Sequence, residues 1–345
     1  MNLSILAQNK YYFFFILFLL TILITIPRFN KREAAISSLS NKALSNNFDS
    51  DEYVNMAKYF RGTIATGDKL DPPYTYRILV PLAASVLPFS PITSINLLSL
   101  LAILLSVLLL EKILSILGFN SKYRFGGCLL YIISYPVFCY SVTGNLDTVL
   151  LLLLFYSEYL LLKKKYTFLS FVIFLGAFFK GTPLIVIALA VMHMILDTQL
   201  QKKKISLYAI AYFFSFSIST FISRMVIPVS STYVWKPSID LVFTNLSRVR
   251  LNIAAIISFG IPGLLTLATM LKRKEIFSSN TESHFHFLLS GFLLSNVLFL
   301  YSIVSTYSGG RFLWTSYPFS ILLSLYGAKY FLYKKHRNGV AVNEL

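Results

Sequence analysis

Negative charge is scarce in this chain: 14 Asp and Glu stand against 31 Lys and Arg, and charged residues of both signs make up only 13% of the 345 residues. Together with 56% hydrophobic and 16% aromatic residues and a mean hydropathy of +0.68, this excludes an ordinary soluble domain and reads as a polytopic membrane protein. Cysteine is almost absent. Cys128 and Cys139 fall in one apolar segment, where a disulfide would have to join two points along a single helix, and they carry no information on redox compartment. The four histidines have no zinc-binding spacing: His284 and His286 open a late apolar segment, His193 lies near a helix end and His336 is in a basic tail. There is no internal repeat, disordered tail or soluble catalytic domain, so residues 1–345 read as a single transmembrane domain. The first apolar run, 11–27, is followed by Arg28, Asn30 and Lys31 and not by a small-residue cleavage site, so it reads as a retained anchor.

The net charge of +17 raises nucleic acid as a partner. The basic residues, however, come in short runs beside apolar segments, at 163–165, 202–204, 272–274 and 334–337. That is how cytoplasmic ends of transmembrane helices are charged, and nucleic-acid binding is set aside. Keeping every run cytoplasmic predicts ten spans with both termini inside: 11–27, 92–112, 125–142, 146–162, 166–180, 183–197, 205–228, 251–271, 286–304 and 313–333. Gly181-Thr182-Pro183 divides the stretch between two basic runs into a short, bent pair of helices that meets outside around Lys180. The segment 76–89, broken by Pro81 and Pro88, is too short to cross and reads as a short helix on the outer face.

This topology gathers both signs of charge on the extracytoplasmic side: Asp49, Asp51, Glu52, Asp68, Asp71, Arg77, Asp147, Lys180, Arg224, Lys236, Asp240, Arg248, Arg250 and Arg311. Wet loops are polar in any protein. Asp147, Lys180 and Arg311 differ because each abuts an apolar helix end, where an unpaired charge is expensive. In the first external loop, 28–75, Tyr53, Met56, Ala57 and Phe60 recur at helical spacing, which predicts an amphipathic helix on the membrane surface with Asp49 or Ser50 as its N-cap. One capping residue would suffice, so three acids within four positions exceed that need.

Four stretches carry a resemblance to a known family. They are Asp49 to Tyr53 with Met56-Ala57; Tyr76, Arg77, Leu79 and Pro81; Asn145 and Asp147 opening a leucine-rich span, followed by a basic turn and then Lys180 to Pro183; and Gly310, Arg311 and Phe312 with Pro318 beyond them. In this order, over nearly the whole chain, they resemble the GT-C superfamily of multi-pass glycosyltransferases. The resemblance implies an all-α bundle of about ten transmembrane helices with a long first extracytoplasmic loop, in the plasma (inner) membrane of a bacterium. It implies transfer of a hexose or pentose from a polyprenyl-phosphate donor to a lipid, glycan or protein acceptor, in cell-envelope glycan synthesis.

In that family a first-loop aspartate serves as general base or positions the acceptor or a metal. Carried over, this is Asp49, favoured by its four-residue step to Tyr53, with Asp51 as rival. A lipid phosphate leaves as a stabilised anion, so only the incoming hydroxyl needs a base, and single displacement with inversion is expected. The departing phosphate calls for fixed cations: Lys180 and Arg311 first, then Arg77, Arg224, Arg248 and Arg250. Glu52, Tyr53, Asp147, Tyr233 and Trp235 are the candidates for acceptor or sugar contact. No cofactor is required. A divalent cation, Mg or Mn, is optional, with Asp49 and Asp51 as its oxygen ligands. The competing readings are a transporter or flippase of lipid-linked glycans, which needs ionisable residues deep within spans, and a glycan polymerase or ligase.

Overall fold

A computed structural model describes residues 10–29, 49–64, 70–197, 199–227, 237–278, 281–305 and 310–342; among these every regular element is helical. In chain order the helices are α1 (Lys10–Thr25), α2 (Asp49–Phe60), α3 (Leu79–Ser85), α4 (Pro91–Ile116), α5 (Ser121–Ile132), α6 (Tyr135–Tyr140), α7 (Asp147–Leu162), α8 (Tyr166–Ala177), α9 (Pro183–Leu196), α10 (Lys202–Val226), α11 (Ile239–Ser247), α12 (Val249–Leu271), α13 (Arg273–Ile276), α14 (Glu282–Ser305) and α15 (Tyr317–Val342). Tighter 3-10 turns cover Ile26–Arg28, Tyr74–Tyr76 and Gly310–Ser316. Tyr233 and Trp235, with Asp68 and Lys236, lie outside the described residues.

Helix alone is what an apolar chain needs in hydrocarbon, because it satisfies each N–H and C=O within its own segment. Five helices (α1 with the turn after it, α4, α10, α12 and α14) are long and apolar enough to cross a membrane by length and composition. The chain is thus an all-α membrane protein. α8 and α9 are apolar but have only 12 and 14 residues, roughly 18 and 21 Å at 1.5 Å per residue. They meet at residues 178–182, with Pro183 in the first turn of α9.

Two expected spans are corrected. The segment 125–142 is not one helix: it breaks into α5 and α6 at Ser134, whose Oγ accepts the Val137 N–H at 3.4 Å, with Pro136 in the first turn that follows. Cys128 and Cys139 therefore sit on different helices, both as free buried thiols. The last span begins at Tyr317, because Gly310–Ser316 winds as a 3-10 turn.

The apolar residues form two clusters. The larger runs the length of the bundle and includes Phe13, Ile103, Tyr131, Leu154, Met194 and Phe319. The smaller lies at one end and joins Tyr53, Met56 and Ala57 of α2 to Ile78, Ile95, Leu146 and Phe178. This corrects the expectation that α2 lies on the membrane surface: its apolar stripe is packed on protein, with Tyr53 2% and Met56 0% exposed. Each such side chain contributes about 1.5–3 kcal/mol by leaving water. Arg61, just past α2, donates to the carbonyls of Ala84, Ser85 and Leu87 at 2.9, 3.0 and 2.8 Å, so the loop helix is also tied to the open end of α3.

Elsewhere the apolar surface faces outward. Along α10, Leu207, Ile210, Phe213, Phe214 and Phe221 are all more than half exposed. Such a face suits a bilayer and not water.

Candidate active site

Gly144, at φ +84°, turns the chain sharply just before α7; a Cβ there would come within 2.8 Å of Ser50 Cβ and Ile92 Cδ1. Glycine thus supplies both the left-handed backbone and the close approach that seats the start of α7 against the start of α2. The turn is held from below. Asn96 Oδ1 accepts the Gly144 N–H at 2.7 Å, and Ser99 Oγ donates to the Asn145 carbonyl at 3.2 Å. Asn145 and Asp147 are thereby presented beside Asp49.

Arg311 arrives from the other half of the chain by a similar device. α12 carries Pro262, which has no N–H for the carbonyl of Ser258, and the backbone bends at Gly260, φ +52°. The released Ser258 carbonyl accepts the Tyr317 hydroxyl at 2.6 Å. A Cβ on Gly310 would lie 1.9 Å from Ser258 Oγ, so the 3-10 turn packs directly on the kink and holds Arg311 next to it.

What results is a chain of ion pairs at the end of the bundle where α7 and α9 begin. Arg311 pairs with Asp49, donates to Asn145 Oδ1 at 3.1 Å and has its Nε 3.2 Å from Asp147 Oδ2. The other Asp147 oxygen accepts from Lys180 Nζ at 2.9 Å. The second Asp49 oxygen accepts the Tyr74 hydroxyl at 2.7 Å. Phe312 lies under both cations, its ring centre 5.7 Å from Lys180 Nζ and 5.5 Å from the Arg311 guanidinium. Arg77, 5% exposed, donates to the Tyr53 hydroxyl and sits 5.3 Å from the Tyr74 ring. These five charged side chains, three positive and two negative, are all largely buried. Buried charges at this density need such pairing to be tolerated.

Electrostatics sorts the acids of α2. Burial alone would raise the Asp49 carboxyl, but the charges of Arg311 and Arg77 and the hydrogen bond from Tyr74 hold it down at about 2. Glu52 goes the other way: burial pushes it up to about 7, the charges of Asp71, Asp49 and Asp51 add to this, and a backbone hydrogen bond at Asp71 opposes it. Its Oε2 has no hydrogen-bond partner. Asp51, two positions from Asp49, points to another side of the helix and is partly exposed. Burial also pushes the Tyr53 and Tyr74 hydroxyls up.

Of the residues expected at a site, Asp49, Tyr53, Arg77, Asp147, Lys180 and Arg311 come together, and Glu52 lies one turn along α2. The capping role considered for Asp49 gives way to these ion pairs; Asp147 is the first residue of α7, and no side chain caps that helix. Arg224 stands near the group, 5.3 Å from the Tyr76 ring. Arg248 and Arg250 lie at the joint of α11 and α12, Arg250 exposed, outside this hydrogen-bonded set. Tyr74 and the Asn145 amide were not among the expected site residues. No motif marks Tyr74; only its place three residues before Arg77, in the same turn, could have drawn attention to it.

Among the described residues no three His, Cys, Asp or Glu side chains converge as a metal site. The carboxylates of the cluster are turned to cations and a hydroxyl: Asp49 to Arg311 and Tyr74, Asp147 to Lys180 and Arg311. No protein-family model matches the chain, and no curated protein or solved structure matches it either.

Proposed function

We propose that this chain is an inverting glycosyltransferase of the GT-C type, taking a sugar from a polyprenyl-phosphate donor at the extracytoplasmic face of a ten-span membrane domain. The observation that carries the reading is the buried run Asp49–Arg311–Asp147–Lys180, drawn from four remote segments to one end of the helices. At the other end of α7 the turn 163–165 is exposed and lysine-rich, which under the positive-inside rule supports a cytoplasmic place for that end and an extracytoplasmic one for the ion pairs.

The chemistry these groups support is a single displacement. An acceptor hydroxyl attacks the anomeric carbon, the bond from that carbon to the phosphate oxygen breaks, and the electron pair leaves with the lipid phosphate. Arg311 and Lys180 meet the anion formed, in a site low in water where fixed cations are most effective. Asp49 accepts the hydroxyl proton. Inversion follows from a single attack on the face opposite the phosphate.

The test supplies radiolabelled polyprenyl-phosphate sugars to membranes containing wild type, Asp49→Asn, Asp51→Asn or Arg311→Gln. Transfer is expected to fall by about 10²-fold or more in the Asp49 and Arg311 variants and to persist in Asp51→Asn. Normal turnover in Asp49→Asn would remove the base from the scheme, and a polymerase or ligase relying on arginines alone would then be the better reading.

A further inference from the structure

As it is seated, Asp49 makes a poor base. One oxygen is held by Tyr74 and the other by Arg311, the residue best placed to receive a phosphate. The two carboxylates on Arg311 are not held equally. Asp147 is hydrogen-bonded by Lys180 and paired with Arg311 and its side chain is 9% exposed, whereas Asp49 is paired with Arg311, hydrogen-bonded only by a neutral hydroxyl besides, with the charge of Arg77 acting on it as well, and is 18% exposed. An anion entering this cluster competes first with Asp49.

We infer that Asp49 occupies the seat of the donor phosphate at Arg311, and that the incoming phosphate ester evicts it and so frees the base. This rests on the transferase reading above. The exchange conserves charge at the guanidinium, since one carboxylate leaves as one phosphodiester anion arrives, and the Arg311 Nη2 that now donates to Asp49 can donate to a phosphate oxygen instead. The freed carboxylate keeps its low-water surroundings and loses its nearest cation, and both raise its affinity for a proton. A base that becomes competent only with donor in place makes binding ordered: donor first, acceptor second.

The experiment measures binding of farnesyl phosphate, and separately of inorganic phosphate, to the purified full chain in detergent. Asp49→Asn presents no competing charge to Arg311 and is expected to bind farnesyl phosphate about tenfold or more tightly than wild type, while losing transfer. Tyr74→Phe keeps the carboxylate but removes the hydroxyl that anchors it, and is expected to bind a few-fold more tightly; it carries the test if Asp49→Asn does not fold. A gain with both ligands supports eviction by phosphate alone, and a gain confined to farnesyl phosphate supports eviction that needs the lipid chain. Equal or weaker binding by the folded variants overturns the inference. If the variants gain affinity while wild type transfers no sugar from any polyprenyl-phosphate donor, eviction stands and the transferase reading fails.

Discussion

α7 holds a buried carboxyl near each of its ends, and their surroundings are opposite. Asp147, 7% exposed, is hydrogen-bonded by Lys180 and flanked by Arg311; Glu158, 0% exposed, has no hydrogen-bond partner at either oxygen. Proximity in sequence does not explain the difference. Lys163, Lys164 and Lys165 follow within two turns of Glu158, yet all three are exposed, and Lys164 pairs instead with Asp197 at 2.8 Å. Asp147 draws its cations from 33 residues away and from the far end of the chain. Ordering and desolvating such partners opposes folding, so the paired end of the helix carries a cost that the other end does not. Glu158 also departs from the expectation that ionisable residues gather on one face. It lies about a turn from the C-terminal end of α7, with neither oxygen hydrogen-bonded among the described residues.

The comparison breaks most visibly at Arg311. Arg311→Gln leaves Asp49 with the Tyr74 hydroxyl and the charge of Arg77, and Asp147 with one cation, and should cost about 3 kcal/mol in denaturant or thermal unfolding as well as transfer activity. Lys164→Ala removes an exposed pair and should cost under about 1 kcal/mol. Next in size is Gly144→Ala, which forces a side chain onto a left-handed backbone and into Ser50 and Ile92. A loss of about 1–3 kcal/mol is expected, with a fall in transfer as the Asn145–Asp147 turn shifts away from Asp49.

Glu52 sharpens the contrast within α2. Its carboxyl is raised from 4.5 to about 7, so the folded state holds the proton more tightly than the unfolded chain does. Stability therefore declines as pH rises from about 4.5 through about 7, and the whole of that loss is present above it. Glu52→Gln should match wild type at pH 4 and exceed it at pH 8 by roughly 1–3 kcal/mol, read as the difference in unfolding midpoints. Asp49 has the opposite sign, contributing stability above about pH 4 that is lost as pH falls through about 2. The smallest effect belongs to Glu158→Gln: removing a carboxyl that has no partner should change stability by no more than about 1 kcal/mol and leave transfer at the wild-type rate. A several-fold fall in transfer would show that the C-terminal end of α7 takes part after all.

Helix content and the approximate limits of most helices were legible because apolar runs and lysine clusters are local signals. Where they misled, a local competitor had won: Ser134 and Pro136 restarted a helix inside the expected third span, and Gly310 drew the start of the last one into a 3-10 turn. The surface placement expected for α2 failed for a different reason. Its stripe of Tyr53, Met56 and Ala57 would serve equally against lipid or protein, and periodicity does not distinguish the two. For the site, residue types and chain positions singled out Asp49, Asp147, Lys180 and Arg311, since charges beside apolar helix ends are conspicuous in so greasy a chain. Tyr74 was invisible because its role is a single hydroxyl aimed at one oxygen.

By itself, then, the sequence determined a helical, membrane-embedded chain, since composition and periodicity act over a few residues and a bilayer enforces them everywhere. Only the tertiary structure decided which acid meets which cation. The φ +84° turn at Gly144 and the kink at Gly260 and Pro262 bring Asp147 and Arg311 to Asp49. Contacts between such distant parts of a chain depend on backbone paths that no short stretch of residues encodes.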